Sequence, residues 1–444
     1  MYNKNFTRII LMVLVIGFSG CSGFLFHKEP TYVKVNNGKF ELDGKPYYFV
    51  GTNMWYGCYI GSAGITGDRE RLERELDILV ENGITNLRVL AASENSNIQN
   101  SVKPAIQQGP GVYNEEILDG LDYLLSEMGE RDMHAVVFLN NYWEWSGGMS
   151  QYNAWANNET AFDPENPNQG WGGFMDYSAT FYKNEKANEL YRNYVKKLIT
   201  RKNNYSGFYY SEDPAIMAWQ LANEPRPGRD NDGAKNKDAF YKWIDETAQF
   251  IHSLDKNHLV TTGNEGLMGS IQSEEIYLTA HQSKNIDYIT FHLWPKNWGW
   301  FDPNRIDETF SPTVTKAVDY INKHIQYARQ LNKPITLEEF GMARDSAFLF
   351  ENSPVTARDK YFNIIYKTMY DSAAAGAPMA GSNFWAWSGE GRGKNPDGKW
   401  RTGDPFMGDP FQEPQGYNSV FHTDISTLKI IKEYSEKMNS IGKP

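Results

Sequence analysis

Two hydrophobic rhythms take turns along this chain. Short runs of consecutive apolar or β-branched residues, bounded by turn-forming residues, read as buried strands. They are Tyr47 to Asn53, Thr85 to Leu90, His134 to Asn140, Ala215 to Glu224, His258 to Gly263, Tyr288 to Leu293, Pro334 to Glu339 and Met379 to Trp387. Between them apolar residues recur every three or four positions, the period of an amphipathic helix. This predicts helices from Asp68 to Asn82 with Gly83 in the C-cap role, from Asn114 as N-cap to Glu130, from Glu185 to Lys202, Asp238 to Leu254, Thr313 to Asn332, Ala357 to Ala375 and Ile425 to Met438. Eight strands alternating with about eight helices predict an α/β chain folded as a single (β/α)8 TIM barrel. Long loops are expected after strands 3, 6 and 8: Asn141 to Lys183, Trp294 to Trp300 and beyond, and Ser388 to Val420. Tyr32 to Asp43 reads as a hairpin closing the bottom of the barrel.

The N-terminus has its own pattern. A start containing Lys4 and Arg8, an apolar run from Ile9 to Phe18 and then Ser19-Gly-Cys21 predict a secretory signal too short to span a bilayer. The ending resembles a bacterial lipobox, which implies cleavage before Cys21 and lipid attachment to it; the plainer alternative is an ordinary signal cut near Ser22. The expected organisation is therefore 1–21 as a lipoprotein signal peptide, 22–31 as a tether and 32–444 as the catalytic domain. The protein is expected to be an exported bacterial lipoprotein of the outer membrane, with either face open, and to touch membrane only through that lipid. Only Cys58 would remain as a thiol, so no internal disulfide is expected.

Charge and composition narrow the function. The net charge of −11, without a long basic run, argues against a nucleic-acid partner. The 13 Trp and the 14% aromatic share are concentrated in predicted loops, where exposed rings can stack on the flat C–H faces of sugars.

Two strands end in carboxylates. Pro225 stops one of them at Asn223-Glu224, and Leu337-Glu-Glu-Phe-Gly341 ends the other in Glu338 and Glu339. Acids at the C-terminal ends of barrel strands lie where such barrels carry catalysis. Retaining hydrolysis of a glycosidic bond needs one acid to protonate the leaving oxygen and one to attack the anomeric carbon, at a separation of roughly 5 Å. Adjacent strand residues point to opposite faces, so only one of Glu338 and Glu339 is expected in the barrel mouth. Glu339, nearest the loop, is assigned as nucleophile, and Glu338 is expected to pair with a basic group or helix behind the strand. Glu224 is assigned as acid/base. Arg88, a charge inside an apolar strand, is expected to keep Glu339 ionised, and Asn223 to bind a sugar hydroxyl. His292, near a strand end, is expected to hydrogen-bond substrate or a catalytic acid, since the other histidines lack ligand spacing. No metal or cofactor is expected, and Asp404 and Asp409 read as solvated loop acids.

The chain resembles glycoside hydrolase family 5 and, within it, the mannanase subfamily. The resemblance runs from Lys39 to Lys437 and rests on Gly51-Thr-Asn53 with Trp55-Tyr56, Leu87-Arg-Val89, Asn140-Asn-Tyr-Trp143, Gly147-Gly148, Gln151-Tyr152, Trp219 to Arg226, Phe291 to Trp298, Leu337 to Gly341 and Phe384-Trp385. It implies Glu224 as acid/base, Glu339 as nucleophile, and Arg88, Asn223 and His292 around the sugar being cleaved. It further implies Trp385 as a platform under that sugar, Arg226 as a contact on the leaving side, and Trp143 as a substrate contact. Trp294 stands where many members carry Tyr; a Tyr hydroxyl can hydrogen-bond the nucleophile, whereas indole offers only an N–H. The loop from Ser388 to Val420 resembles the enlarged loop of the exo-acting β-mannosidases, which implies a pocket that takes chain ends and a β-mannan or mannooligosaccharide substrate. An open cleft and an endo-β-1,4-mannanase are the alternative. A non-catalytic glycan-binding lipoprotein would be expected to have lost one of the two carboxylates.

Overall fold

The computed structural model describes residues 30–442, so the expected signal segment, Cys21 and almost all of the tether lie outside the described residues. Eight parallel strands form one sheet: β1 (Phe49–Asn53), β2 (Asn86–Leu90), β3 (His134–Phe138), β4 (Ile216–Gln220), β5 (Leu259–Thr261), β6 (Ile289–Leu293), β7 (Ile335–Phe340) and β8 (Met379–Phe384). Hydrogen bonding runs in the order β5-β4-β3-β2-β1-β8-β7-β6. The seam between β5 and β6 is tied at its base, where the Asp287 amide donates to the Val260 carbonyl (2.8 Å) and the Thr261 hydroxyl to the Tyr288 carbonyl (2.8 Å). The strands are buried almost throughout, which is why they read as continuous apolar runs.

The helices are α1 (Arg69–Glu81), α2 (Glu115–Glu130), α3 (Glu185–Ile199), α4 (Asp230–Leu254), α5 (Glu274–His281), α6 (Ile306–Leu331), α7 (Thr356–Ala374) and α8 (Ile425–Ser440). Four have polar N-caps whose side chains satisfy an otherwise orphaned amide: Asp68, Asn114, Asn184 and Ser273. Three antiparallel strands, Lys34–Asn36, Lys39–Leu42 and Lys45–Pro46, close the bottom. Val33 and Phe40 pack there with Phe49, Met217, Leu259 and Tyr288 near the starts of the barrel strands. Fully burying a side chain such as Phe40 stabilises by about 1.5–3 kcal/mol.

Several boundaries differ from expectation. α4 begins at Asp230 instead of Asp238, and α6 at Ile306, continuing through Pro312. The last strand stops at Phe384, and a separate segment, Trp387–Gly389, pairs with Val420–Phe421. The long loop after β3 holds two further helices, Gly148–Asn157 and Gly170–Ala179. These bury most of its rings: Tyr142, Trp145 and Tyr152 are core, and Trp171 is exposed. Packing against the barrel, more than stacking on ligand, therefore accounts for the aromatic density of that loop.

Candidate active site

Hydrogen bonds to both neighbouring strands continue past β4 up to Glu224. The Leu221 and Glu224 amides donate to Thr261 and Gly263, and the Asn223 amide to Asn140. Pro225, without an N–H, ends the ladder there, and Glu224 turns out with a left-handed φ of 49°. Its carboxyl lies between two donors. His292 Nδ1 is 2.6 Å from Oε1, and Trp143 Nε1 donates to Oε2.

On β7 the register breaks. Phe291 of β6 pairs with Leu337, but His292 pairs with Glu339, so Glu338 is an extra residue with no partner across the ladder. A bulge of this kind re-aims side chains and removes strict alternation. The expectation that Glu338 faces away from the barrel is therefore corrected: Glu338 and Glu339 are both buried within it. Glu339 accepts from Arg88 Nη1 at 2.5 Å and from Trp294 Nε1 at 3.0 Å. The indole N–H thus makes a contact to Glu339 despite the absence of a hydroxyl. Glu338 accepts from Gln220 Nε2, and its Oε2 is 3.9 Å from Arg88 Nε.

Arg88 is fully buried over the Phe138 ring, 4.7 Å from its centroid. Beyond Glu339 it donates to Gln220 Oε1 (2.9 Å), Asn53 Oδ1 (3.0 Å) and Asn223 Oδ1 (2.6 Å). Asn223 also donates to Asn141 Oδ1 at 3.1 Å, so its amide links Arg88 to the β3 loop while lining the cavity.

One ligand-type atom each from Glu224, His292 and Glu339 lie within 4.8 Å of one another. Burial pushes the Glu224 carboxyl up, against the pull of Arg226, Trp143 and Arg88. Burial also raises Glu339, opposed first by His292 and then by Arg88. A charged donor in direct contact, the Arg88 guanidinium at 2.5 Å, makes Glu339 the more firmly held anion, since Glu224 meets only an imidazole and an indole at that range. Burial lowers His292 to about 4, so the ring is neutral near pH 7. With Nδ1 also 3.4 Å from Glu339 Oε2, a proton on Nδ1 faces both carboxyls and leaves Nε2 as an acceptor.

The cavity above these groups has a volume of about 320 Å³, at the low end for small-molecule sites. Trp143, Arg226, Trp294 and Trp385 line it. Arg226 pairs with Glu265 and sits 4.6 Å from the Trp143 ring, while Trp385 meets Trp294 edge-on at 6.0 Å. Arg226 Nε, His292 Nε2, Trp385 Nε1 and Gln412 Oε1 are buried around the site and have no partner among the described residues. Such groups gain most from a hydroxyl-rich ligand.

Sequence reasoning missed Trp145, Glu265, Met268, Asn297, Gln412 and Glu413, which also line the cavity. Glu265 had a signal: Asn264-Glu265 repeats, just past β5, the Asn-Glu pair that follows β4. Burial raises it to about 7, with Glu224 adding to the rise. Gln412 and Glu413 had none, since they come from a loop without periodicity. Asp409 in that loop is not solvated as expected. It is buried and accepts from the Gly416 and Asn418 amides (2.8 and 2.9 Å) and the Ser419 hydroxyl (2.6 Å).

Residues 30–443 match the family described as GH family 5 beta-mannosidase-like. The chain belongs to glycoside hydrolase family 5. A solved family 5 mannosidase from Rhizomucor miehei is 35% identical with a TM-score of 0.85, covering 94% of this chain and 99% of its own. A variant of that enzyme has been solved in complex with mannosyl-fructose. The endo-beta-1,4-mannanase from Thermotoga petrophila is 25% identical with a TM-score of 0.64, over 90% of this chain and 79% of its own. Mannan endo-1,4-beta-mannosidase 5 from Solanum lycopersicum is 30% identical over 384 residues, 83% of this chain and 84% of that one. This family 5 hydrolase is thus similar to enzymes named for both mannosidase and endo-mannanase activity, on a TIM barrel in each solved case.

Proposed function

We propose that this family 5 hydrolase cleaves β-1,4-mannosidic linkages with retention, from the non-reducing ends of mannooligosaccharides. In the first step Glu339 attacks the anomeric carbon while Glu224 gives its proton to the departing glycosidic oxygen, leaving a mannosyl ester on Glu339 and a shortened chain. In the second step the Glu224 carboxylate takes a proton from water, the hydroxyl oxygen attacks the anomeric carbon, and the ester to Glu339 breaks. Asn223 meets the reacting sugar, with Arg88 and His292 behind it holding the two carboxyls; Trp385 lies under the sugar, and Trp143 and Arg226 meet the leaving side.

The observation that carries the exo reading is that Gln412 and Glu413, from the loop after β8, line the same small cavity as Glu224 and Glu339. On this reading the wall they form takes a chain end in preference to a chain passing through. The tomato relative's name favours the second reading, an endo-mannanase. A time course of products from linear mannohexaose separates them. Mannose appearing first with mannopentaose is expected; early mannobiose and mannotriose without mannose would mean an open cleft. An intact substrate would remove the mannan assignment.

The export signal and lipid on Cys21 remain part of the same proposal, supported by the basic start, short apolar run and Cys21 of the sequence.

A further inference from the structure

Glu338 is a buried carboxyl inside the barrel that the two-step reaction does not use. The bulge directs it into the same interior as Glu339, and Gln220 joins it to Arg88. A guanidinium can only donate, so the Gln220 amide oxygen must face Arg88, and this places the amide NH2 on Glu338 Oε2. On the other oxygen, the hydroxyls of Tyr288 and Thr336 each lie 3.3 Å from Oε1. Arg88 reaches Glu339 at 2.5 Å and stands 3.9 Å from Glu338. Two carboxylates sharing one cation in a dry interior would repel each other and draw Arg88 away from Glu339. A proton on Glu338 Oε1 can be accepted by either hydroxyl and removes that conflict without disturbing the Gln220 contact.

We propose that Glu338 is a positioning residue, a neutral carboxylic acid that holds Gln220 and through it Arg88, leaving the guanidinium charge to Glu339. The inference rests on Glu339 being the nucleophile. Burial raises Glu338 to about 7, opposed first by Arg88, which agrees with a neutral acid on the acidic side of neutrality. The titratable and charged groups facing it are Arg88 from β2, Tyr288 at the start of β6, Glu339 on its own strand and Tyr277 of α5, whose phenol is raised first by burial and also by Glu338.

The test is kcat/KM against pH on an aryl β-mannoside, where the acid limb reports ionisation of the free enzyme's nucleophile. Glu338→Leu and Gln220→Leu are expected to lose about tenfold or more and to move the acid limb up by about half a pH unit, as Glu339 loses part of Arg88. Glu338→Gln, an isosteric neutral group, is expected to restore most of the rate and return the limb to its original place. A role in packing alone would lower the rate without moving the limb. The proposal is overturned if the Glu338→Gln limb moves to lower pH, which would mean that a real anion had been removed. It is also overturned if Glu338→Gln is as slow as Glu338→Leu, or if Gln220→Leu leaves the limb in place. Should Glu338→Leu fail to fold, the other two variants decide. Glu339→Ala runs alongside: activity retained there would remove the nucleophile reading itself, whatever Glu338 does.

Discussion

Strand β4 brings Glu224 to the cavity by ending, and β7 brings Glu339 there by taking in an extra residue. Past β4 the ladder stops at Pro225, and Glu224 turns out of the sheet between His292 and Trp143. Within β7 the chain stays in the ladder, and Glu339 is clamped by Arg88 from across the barrel. The difference suits two tasks. A group that gives and later takes a proton benefits from a position at the cavity wall, with donors that favour but do not neutralise its charge. A group that must stay ionised and hold a covalent sugar benefits from a rigid strand and a fixed cation.

Removing each carboxylate is the strongest way to break this comparison. Glu339→Ala should lower kcat by at least about 10⁴-fold whatever the leaving group. Glu224→Ala should cost about 10²- to 10⁴-fold on mannooligosaccharides and far less on a dinitrophenyl β-mannoside, whose leaving group departs without a proton. Added azide should then restore turnover and yield β-mannosyl azide, detectable by mass spectrometry. Equal losses on both substrates would mean that the two acids do not divide the work.

The two indoles sharpen it. Trp294 donates to Glu339 and Trp143 to Glu224, and each N–H lowers the proton affinity of its acid. Trp294→Phe should therefore raise the nucleophile's pKa and move the acid limb of the rate profile to higher pH, narrowing the active range. Trp143→Phe should raise the acid/base pKa and move the alkaline limb to higher pH, widening it. Each should cost about tenfold in rate, the scale of a hydrogen bond to a charged group. Limbs moving in the opposite assignment would exchange the roles of the two acids. The smallest effect is expected at the stop itself: Pro225→Ala should lower stability by about 1 kcal/mol in thermal melts, with activity within about threefold.

The stop was legible in the sequence because proline is a residue type with one meaning inside a ladder. The bulge was not, because it is a relation between two strands and leaves no composition behind; strict alternation along Glu338-Glu339 pointed to the wrong face. The eight strands could be read from unbroken apolar runs, as burial on both faces requires. Helix starts were less visible. Asp230 to Lys237 is polar and contains Gly233, so its entry into α4 follows from tertiary contacts and not from propensity. α5, with eight residues, is shorter than the window over which helical periodicity shows. Among the site residues, most of those on strands or beside a strand end were found, Glu265 just past β5 being the exception. Gln412 and Glu413, carried by irregular chain, required the fold.

The loop that carries those two residues is tied both to itself and to the barrel behind it, where Trp55 Nε1 donates to the Gly408 carbonyl (2.9 Å) and Arg358 to the Ser419 carbonyl (2.7 Å). Asp409 gathers Gly416, Asn418 and Ser419, and Ser388 binds Ser419 and the Gly408 amide. Its internal bonds do not include the strand residues that carry Glu224 and Glu339, although Arg358 bonds both Ser419 and the Met342 carbonyl just past Glu339. On the proposed reading, what the enzyme feeds on and how it cuts are written on two different pieces of chain.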